Sequence, residues 1–209
     1  MARMRVVART RGALVREAQP TSAQQPEALP WILYDTQAWT TAVTTTQTYF
    51  TTVQNDKTLG NMEGPGQLPD PQFFEVHYIG CDFLLSPNSV ASVAVAGPLN
   101  DITQFLFAQR GTFEFNISNK RMGPFPLSFL HASGGPTGYL AITNAAAAQK
   151  NEYANNGVFD GGFCVGGALL IPPKVSFDIT LRLAAAATLQ TTPLNVRVWQ
   201  AGALYRRVL

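Results

Sequence analysis

Charge is scarce in this chain. Only 13% of its 209 residues are Asp, Glu, Lys or Arg, against 46% hydrophobic, so much of the folded surface is expected to be covered by something other than water, and self-association would supply that cover. Histidine is scarcer still. His77 and His131 stand far apart in unrelated contexts, which excludes the two or three converging imidazoles that metal chemistry on a β scaffold needs; both read as surface or subunit-contact residues. The two cysteines, Cys81 and Cys164, lie in apolar segments without CxxC spacing and are expected to be reduced core residues rather than a disulfide. No apolar run approaches the roughly 18 residues that a membrane-crossing helix takes, so the chain is expected to be soluble or peripheral.

Catalytic signatures are missing as well. There is no GxSxG elbow and no Cys-His pattern for a nucleophile. The loop Ser133-Gly-Gly-Pro-Thr-Gly138 lacks the lysine of a phosphate cradle, and the glycines of 157–167 lack dinucleotide spacing. Acids as sparse as Glu152 and Asp160 make a sugar-cleaving pair remote. No catalytic residue, metal or cofactor is assigned, and the expectation is that the protein is not an enzyme.

What is present begins with an asymmetry. Residues 1–16 hold five arginines, Arg3, Arg5, Arg9, Arg11 and Arg16, and no acid, a charge of +5 that leaves −3 for the rest of a chain whose total is +2. The start resembles an organellar transit peptide, but is expected to be a retained arm held by a partner, since it has too few apolar groups to order itself. Arginines offer bidentate contacts to phosphate or carboxylate without a folded scaffold, so the partner would be anionic: nucleic acid, lipid headgroups or an acidic groove on a neighbouring subunit. Residues 19–30, QPTSAQQPEALP, read as an extended linker, which divides the chain into arm and linker (1–30) and body (31–209). Trp31, Tyr34 and Trp39, near that junction, are possible interface anchors, because desolvated aromatics dominate interfaces.

The body reads as β. Thirteen Phe, fourteen Pro and seventeen Gly favour short strands and frequent turns. Strict alternation places Phe113, Phe115 and Ile117 inward, and again Phe177, Ile179 and Leu181, with Leu194–Val198 repeating the pattern. The threonine-rich 39–53 suits one long strand or a bent pair. In FFEVHYIGCDFLL the apolar set is Phe74, Val76 and Tyr78, then Ile79, Cys81, Phe83 and Leu85, so a bulge near Gly80 is expected to flip the phase. Asn100 or Asp101 can cap one short helix carrying Ile102, Phe105 and Leu106. Gly-Pro-Phe-Pro (123–126) and Pro172-Pro173 are places where a ladder should stop. About eight antiparallel strands with unequal connections fit a two-sheet jelly-roll sandwich with one inserted helix and an extended N-terminal arm.

The runs FLFAQRGTFEFNISNKRMGPFPLSFL (105–130) and GGALLIPPKVSFDITL (166–181), together with the basic arm and Pro/Gln linker, resemble single jelly-roll capsid proteins of tailless icosahedral bacteriophages, including those with an internal membrane. The resemblance implies a virion protein whose copies meet one another and other virion proteins through loops, sheet edges and the arm around a genome or membrane. A lectin-like or receptor-binding sandwich with a loop site is the alternative.

Overall fold

The computed structural model describes residues 26–40, 43–84, 105, 110–130, 163–187 and 194–207. They form eight strands: β1 (Pro26–Trp39), β2 (Thr46–Tyr49), β3 (Phe73–Leu84), β4 (Thr112–Ile117), β5 (Lys120–Pro126), β6 (Phe163–Ile171), β7 (Phe177–Arg182) and β8 (Leu194–Arg207). Two four-stranded sheets result, ordered β1-β8-β3-β6 and β2-β7-β4-β5, and every strand pair is antiparallel. The expected all-β, two-sheet class is what the chain adopts. Its threonine-rich 39–53 segment is not one strand: β1 ends at Trp39 in the first sheet and β2 begins at Thr46 in the second.

Alternation builds the core between the sheets. Phe113, Phe115 and Ile117 of β4 face Phe177, Ile179 and Leu181 of β7 in register, and all are buried together with Phe74, Val76, Ile79, Val196 and Val198 from the opposite sheet. Each such side chain contributes about 2–3 kcal/mol by leaving water. Trp39 Nε1 donates to the Tyr49 hydroxyl (2.9 Å), so two large buried aromatics satisfy each other's polar atoms. Burial pushes the Tyr49 hydroxyl well above its usual pKa. Of the expected short helix, only Phe105 is among the described residues. It lies edge-on to Trp39 (4.8 Å) and Phe83 (5.7 Å).

The phase flip in β3 occurs, but at His77 rather than Gly80. Val76 pairs with Gly202 and Tyr78 with Ala201, which leaves His77 as the extra residue. Phe74 and Val76 therefore point inward before the bulge, and Ile79 and Cys81 after it. Tyr78, expected on the Phe74 face, is turned outward and is 42% exposed. Gly80 instead makes room across the sheet, since it pairs with Trp199 and a Cβ there would collide with the indole. Cys81 is in the core, where burial raises its thiol pKa, but Cys164 is exposed and both are free. The expectation of two core cysteines is thus corrected for Cys164, which pairs with outward-turned Tyr78 and so shares its face.

Proline placement corrects two further expectations. Residues 26–30, read as the end of a linker, already belong to β1 and pair with β8 as far as Pro26↔Arg207. β1 is an edge strand, and Pro26 and Pro30 share the parity of Tyr34, whose N–H points away from β8 to Asn61 Oδ1 (2.9 Å). The missing N–H groups therefore fall on the outer rim, where no ladder needs them. Asn61 completes that rim, its Nδ2 donating to the Ile32 carbonyl (2.7 Å) and its N–H to the Tyr34 carbonyl (3.2 Å). Gly-Pro-Phe-Pro does not stop a ladder either. It lies within β5, the edge of the second sheet, with Phe125 opposite Phe113 and Pro126 opposite Thr112. Pro172-Pro173 does follow the end of β6 at Ile171.

Candidate interaction surface

The outer face of the β1-β8-β3-β6 sheet carries several aromatic side chains outside the core. Because Val196, Val198 and Gln200 of β8 are buried, the alternate residues Arg197, Trp199, Ala201 and Ala203 face outward. Register sets their neighbours: Tyr34 pairs with Trp199 and Trp199 with Gly80, while Ile32 and Tyr78 flank Ala201. The indole sits over Gly80, the one residue type that leaves room for it. Its N–H hydrogen-bonds the Asp82 carboxylate; burial raises that carboxyl's pKa, and the indole and the Arg197 charge offset part of the rise. The Arg197 guanidinium lies 5.0 Å over the Tyr34 ring, a cation–π arrangement. Ile32 is 52% exposed.

One end of this face is walled by the loop after β2. Buried Asp35 anchors it from below: Oδ2 accepts the Phe50 N–H (2.7 Å) and Gln37 Nε2 (3.1 Å), and Oδ1 accepts the Thr36 N–H (2.9 Å) and Gln54 Nε2 (3.0 Å). Four donors satisfy a carboxylate that would otherwise be costly to bury. From above, the Tyr34 hydroxyl donates to the Lys57 carbonyl (2.5 Å) and Arg197 to the Thr58 carbonyl (2.6 Å). Within the loop, Asp56 Oδ1 accepts both the N–H and the hydroxyl of Thr58 (2.8 Å each), which holds the Asp56 carboxyl below its usual range.

At the other end, Phe73 and Tyr205 stack in parallel (4.6 Å, 8°). The Tyr205 hydroxyl donates to Glu75 Oε2 (3.1 Å), and His77 Nε2 lies 3.2 Å from Glu75 Oε1. The bulge brings the histidine beside a carboxylate of its own strand. A separate cleft of about 90 Å³ opens between Trp31, Leu33, Leu68 and Leu204, well below the roughly 300 Å³ of a small-molecule site.

The outer face of the second sheet is built differently. Glu114, only 4% exposed, is paired with Arg121 and lies 4.0 Å from Arg182. Asn116 Nδ2 donates to Asp178 Oδ1 (2.7 Å), and the Thr48 and Thr180 hydroxyls meet at 3.3 Å. These groups answer one another across four strands.

Of the residues the sequence singled out, Arg3, Arg5, Arg9, Arg11, Arg16, His131, Glu152 and Asp160 lie outside the described residues. Tyr34 is on the aromatic face. Trp31 is 43% exposed, beside the cleft. Trp39, expected as an interface anchor, is 1% exposed and bonded to Tyr49; it is a core residue, because its odd position in β1 shares the inward face of Leu33. Trp199, Tyr78 and Arg197 were missed, although LNVRVWQ alternates so as to put Arg197 and Trp199 on the side opposite Val196 and Val198. Among the described residues no group of three or more His, Cys, Asp or Glu could hold a metal ion, and no helix is long and apolar enough to cross a membrane. No protein-family model, curated protein or solved structure matches the chain.

Proposed function

We propose that the chain is a structural virion protein, a jelly-roll capsid subunit that assembles with copies of itself and with other virion proteins into an icosahedral shell. The observation that supports this reading is the strand order. In β1-β8-β3-β6 and β2-β7-β4-β5 each sheet interleaves strands from both ends of the chain, the order that two Greek keys wound into one sandwich produce. The basic arm, with Arg3, Arg5, Arg9, Arg11 and Arg16, would contact a neighbour, the genome or the headgroups of an internal membrane. Of the four edge strands, β1 and β5 carry prolines that disfavour strand pairing, which leaves edges β2 and β6, the loops and the arm to join subunits.

The same strand order serves lectin domains, and assembly separates the two readings. Purified full-length chain is expected to form closed particles visible by electron microscopy, with a light-scattering mass that depends on salt. Replacing all five arm arginines by glutamine should suppress assembly while leaving the circular dichroism spectrum unchanged. A chain that stays monomeric across salt and concentration overturns the proposal.

A further inference from the structure

The outer face of the first sheet forms a trough along β8. Its floor is small, Ala201 and Ala203; Ile32 on β1 and Tyr78 on β3 flank it, and aromatic pairs close its ends, Tyr34 with Trp199, whose indole covers Gly80, and Phe73 with Tyr205. Trp199 and Tyr205 lie six positions apart on β8, so the trough is roughly 20 Å long and, over two strand spacings, about 10 Å wide. We infer that this trough binds a neutral oligosaccharide chain, laid along β8 with its ring faces against Trp199 and Tyr78. The inference stands whether or not the chain builds a shell, because it uses a sheet face and the loop that walls it, and not the arm.

Size selects against a second protein as the occupant. A footprint of roughly 200 Å² falls far short of the 800 Å² or so that each partner gives to a stable protein interface. The trough suits a narrow, extended ligand instead. A peptide added as a further strand does not fit, since strand addition needs free backbone N–H and C=O groups at a sheet edge, whereas here the floor is the middle of a sheet whose backbone groups are spent in the ladders of β8 with β1 and β3. Recognition must therefore come from side chains.

Those present match a sugar. The Trp199 indole is held over Gly80 and fixed through its N–H by Asp82, which pre-organises a flat apolar surface at little entropic cost on binding. Tyr78, on the same face of β3 two residues from Gly80, adds a second aromatic ring roughly 7 Å along, and its 42% exposure leaves it open to a ligand. Polar groups border both ends, Arg197 at one and the partly exposed His77 at the other, as hydroxyl groups at the edge of a sugar ring require. Aromatic platforms with a few directional polar groups are the general composition of small-ligand sites. Among the described residues, the outer face of the second sheet carries Glu114, Asn116, Asp178 and Thr180 where the first carries aromatic rings.

The experiment uses the full-length protein and a panel of neutral tetrasaccharides of the cello, chito, malto and manno series, read by isothermal titration and by tryptophan fluorescence. At least one series should bind, with affinity lowered tenfold or more in Trp199→Ala and several-fold in Tyr78→Ala. Gly80→Ala keeps the indole but displaces it, and should weaken binding as much as Trp199→Ala does. Arg121→Ala, on the opposite sheet, should bind like the parent chain. If Trp199→Ala fails to fold, the exposed Tyr78 and the Gly80 variants carry the test. Absence of binding to every series at millimolar sugar, binding unchanged in both Tyr78→Ala and Gly80→Ala, or capture of extended peptides in place of sugars overturns the inference.

Discussion

The two outer faces of the sandwich are made from the same alternation and end in opposite chemistry. On β2-β7-β4-β5, Glu114, Arg121, Arg182, Asn116, Asp178, Thr48 and Thr180 answer one another across strands. On β1-β8-β3-β6, Ile32, Tyr34, Tyr78 and Trp199 face outward beside Arg197, with Ala201 and Ala203 between them. A sheet face that pairs its own polar groups is finished in water. One that leaves aromatic rings beside small residues keeps shape and apolar area for a visitor.

The largest expected effect comes from cutting the tether beneath the aromatic face. Asp35→Ala removes the acceptor of four hydrogen bonds and strands buried donors, including the Phe50 N–H, at a cost of about 3 kcal/mol in urea unfolding. Hydrogen exchange should rise in the loop after β2 and in β1, while β4 and β7 keep their protection. Next, Glu114→Ala on the polar face should cost about 1 kcal/mol, and a double-mutant cycle with Arg121 should shrink as salt is added, because both arginines are more than half exposed.

Asp82 gives a smaller effect with a definite sign. Its folded pKa lies above the ordinary carboxyl value of 3.8 because of burial, so between the two pKa values the native state holds the proton more often than the unfolded chain. Its ionised form therefore lowers stability, by an amount absent at acid pH and complete once pH passes the raised value. In Asp82→Asn the decline in stability as pH rises from about 4 should flatten, as followed by denaturant midpoints across pH. The smallest effect is expected at the trough itself. Tyr78→Ser, at a well-exposed site, should shift stability by no more than about 0.5 kcal/mol, which would set binding and folding apart on one face in a way that the interlocked polar face does not allow.

How much of this the residues disclose depends on the range of the cause. β4 and β7 are legible because Phe113, Phe115, Phe177 and Ile179 alternate with polar residues over a few positions, a signal contained in the strand itself. The reach of β1 back to Pro26 is not, since what makes those prolines acceptable is the edge position, set by pairing with β8 more than 160 residues away. The phase flip in β3 is visible in the apolar pattern, but its location is not: His77 and Gly80 satisfy the same pattern, and the choice between them decides whether Tyr78 is core or surface. Asp35 and Gln200 break the alternation outright, being polar and buried; the donors that justify Asp35 come from residues 36 to 54, which no local reading connects to it. Trp199 had a legible facing, and only its seat on Gly80, from another strand, lay beyond a local view.

The rim of β1 has a consequence for crowding. With two imino acids and a side-chain amide standing where a further strand would have to dock, molecules of this protein are barred from zipping into continuous ribbons along that border, even at the local concentrations of a packed particle. Any joining of sandwiches edge to edge is thereby left to the other rims, β6 in this sheet and β2 and β5 in the second.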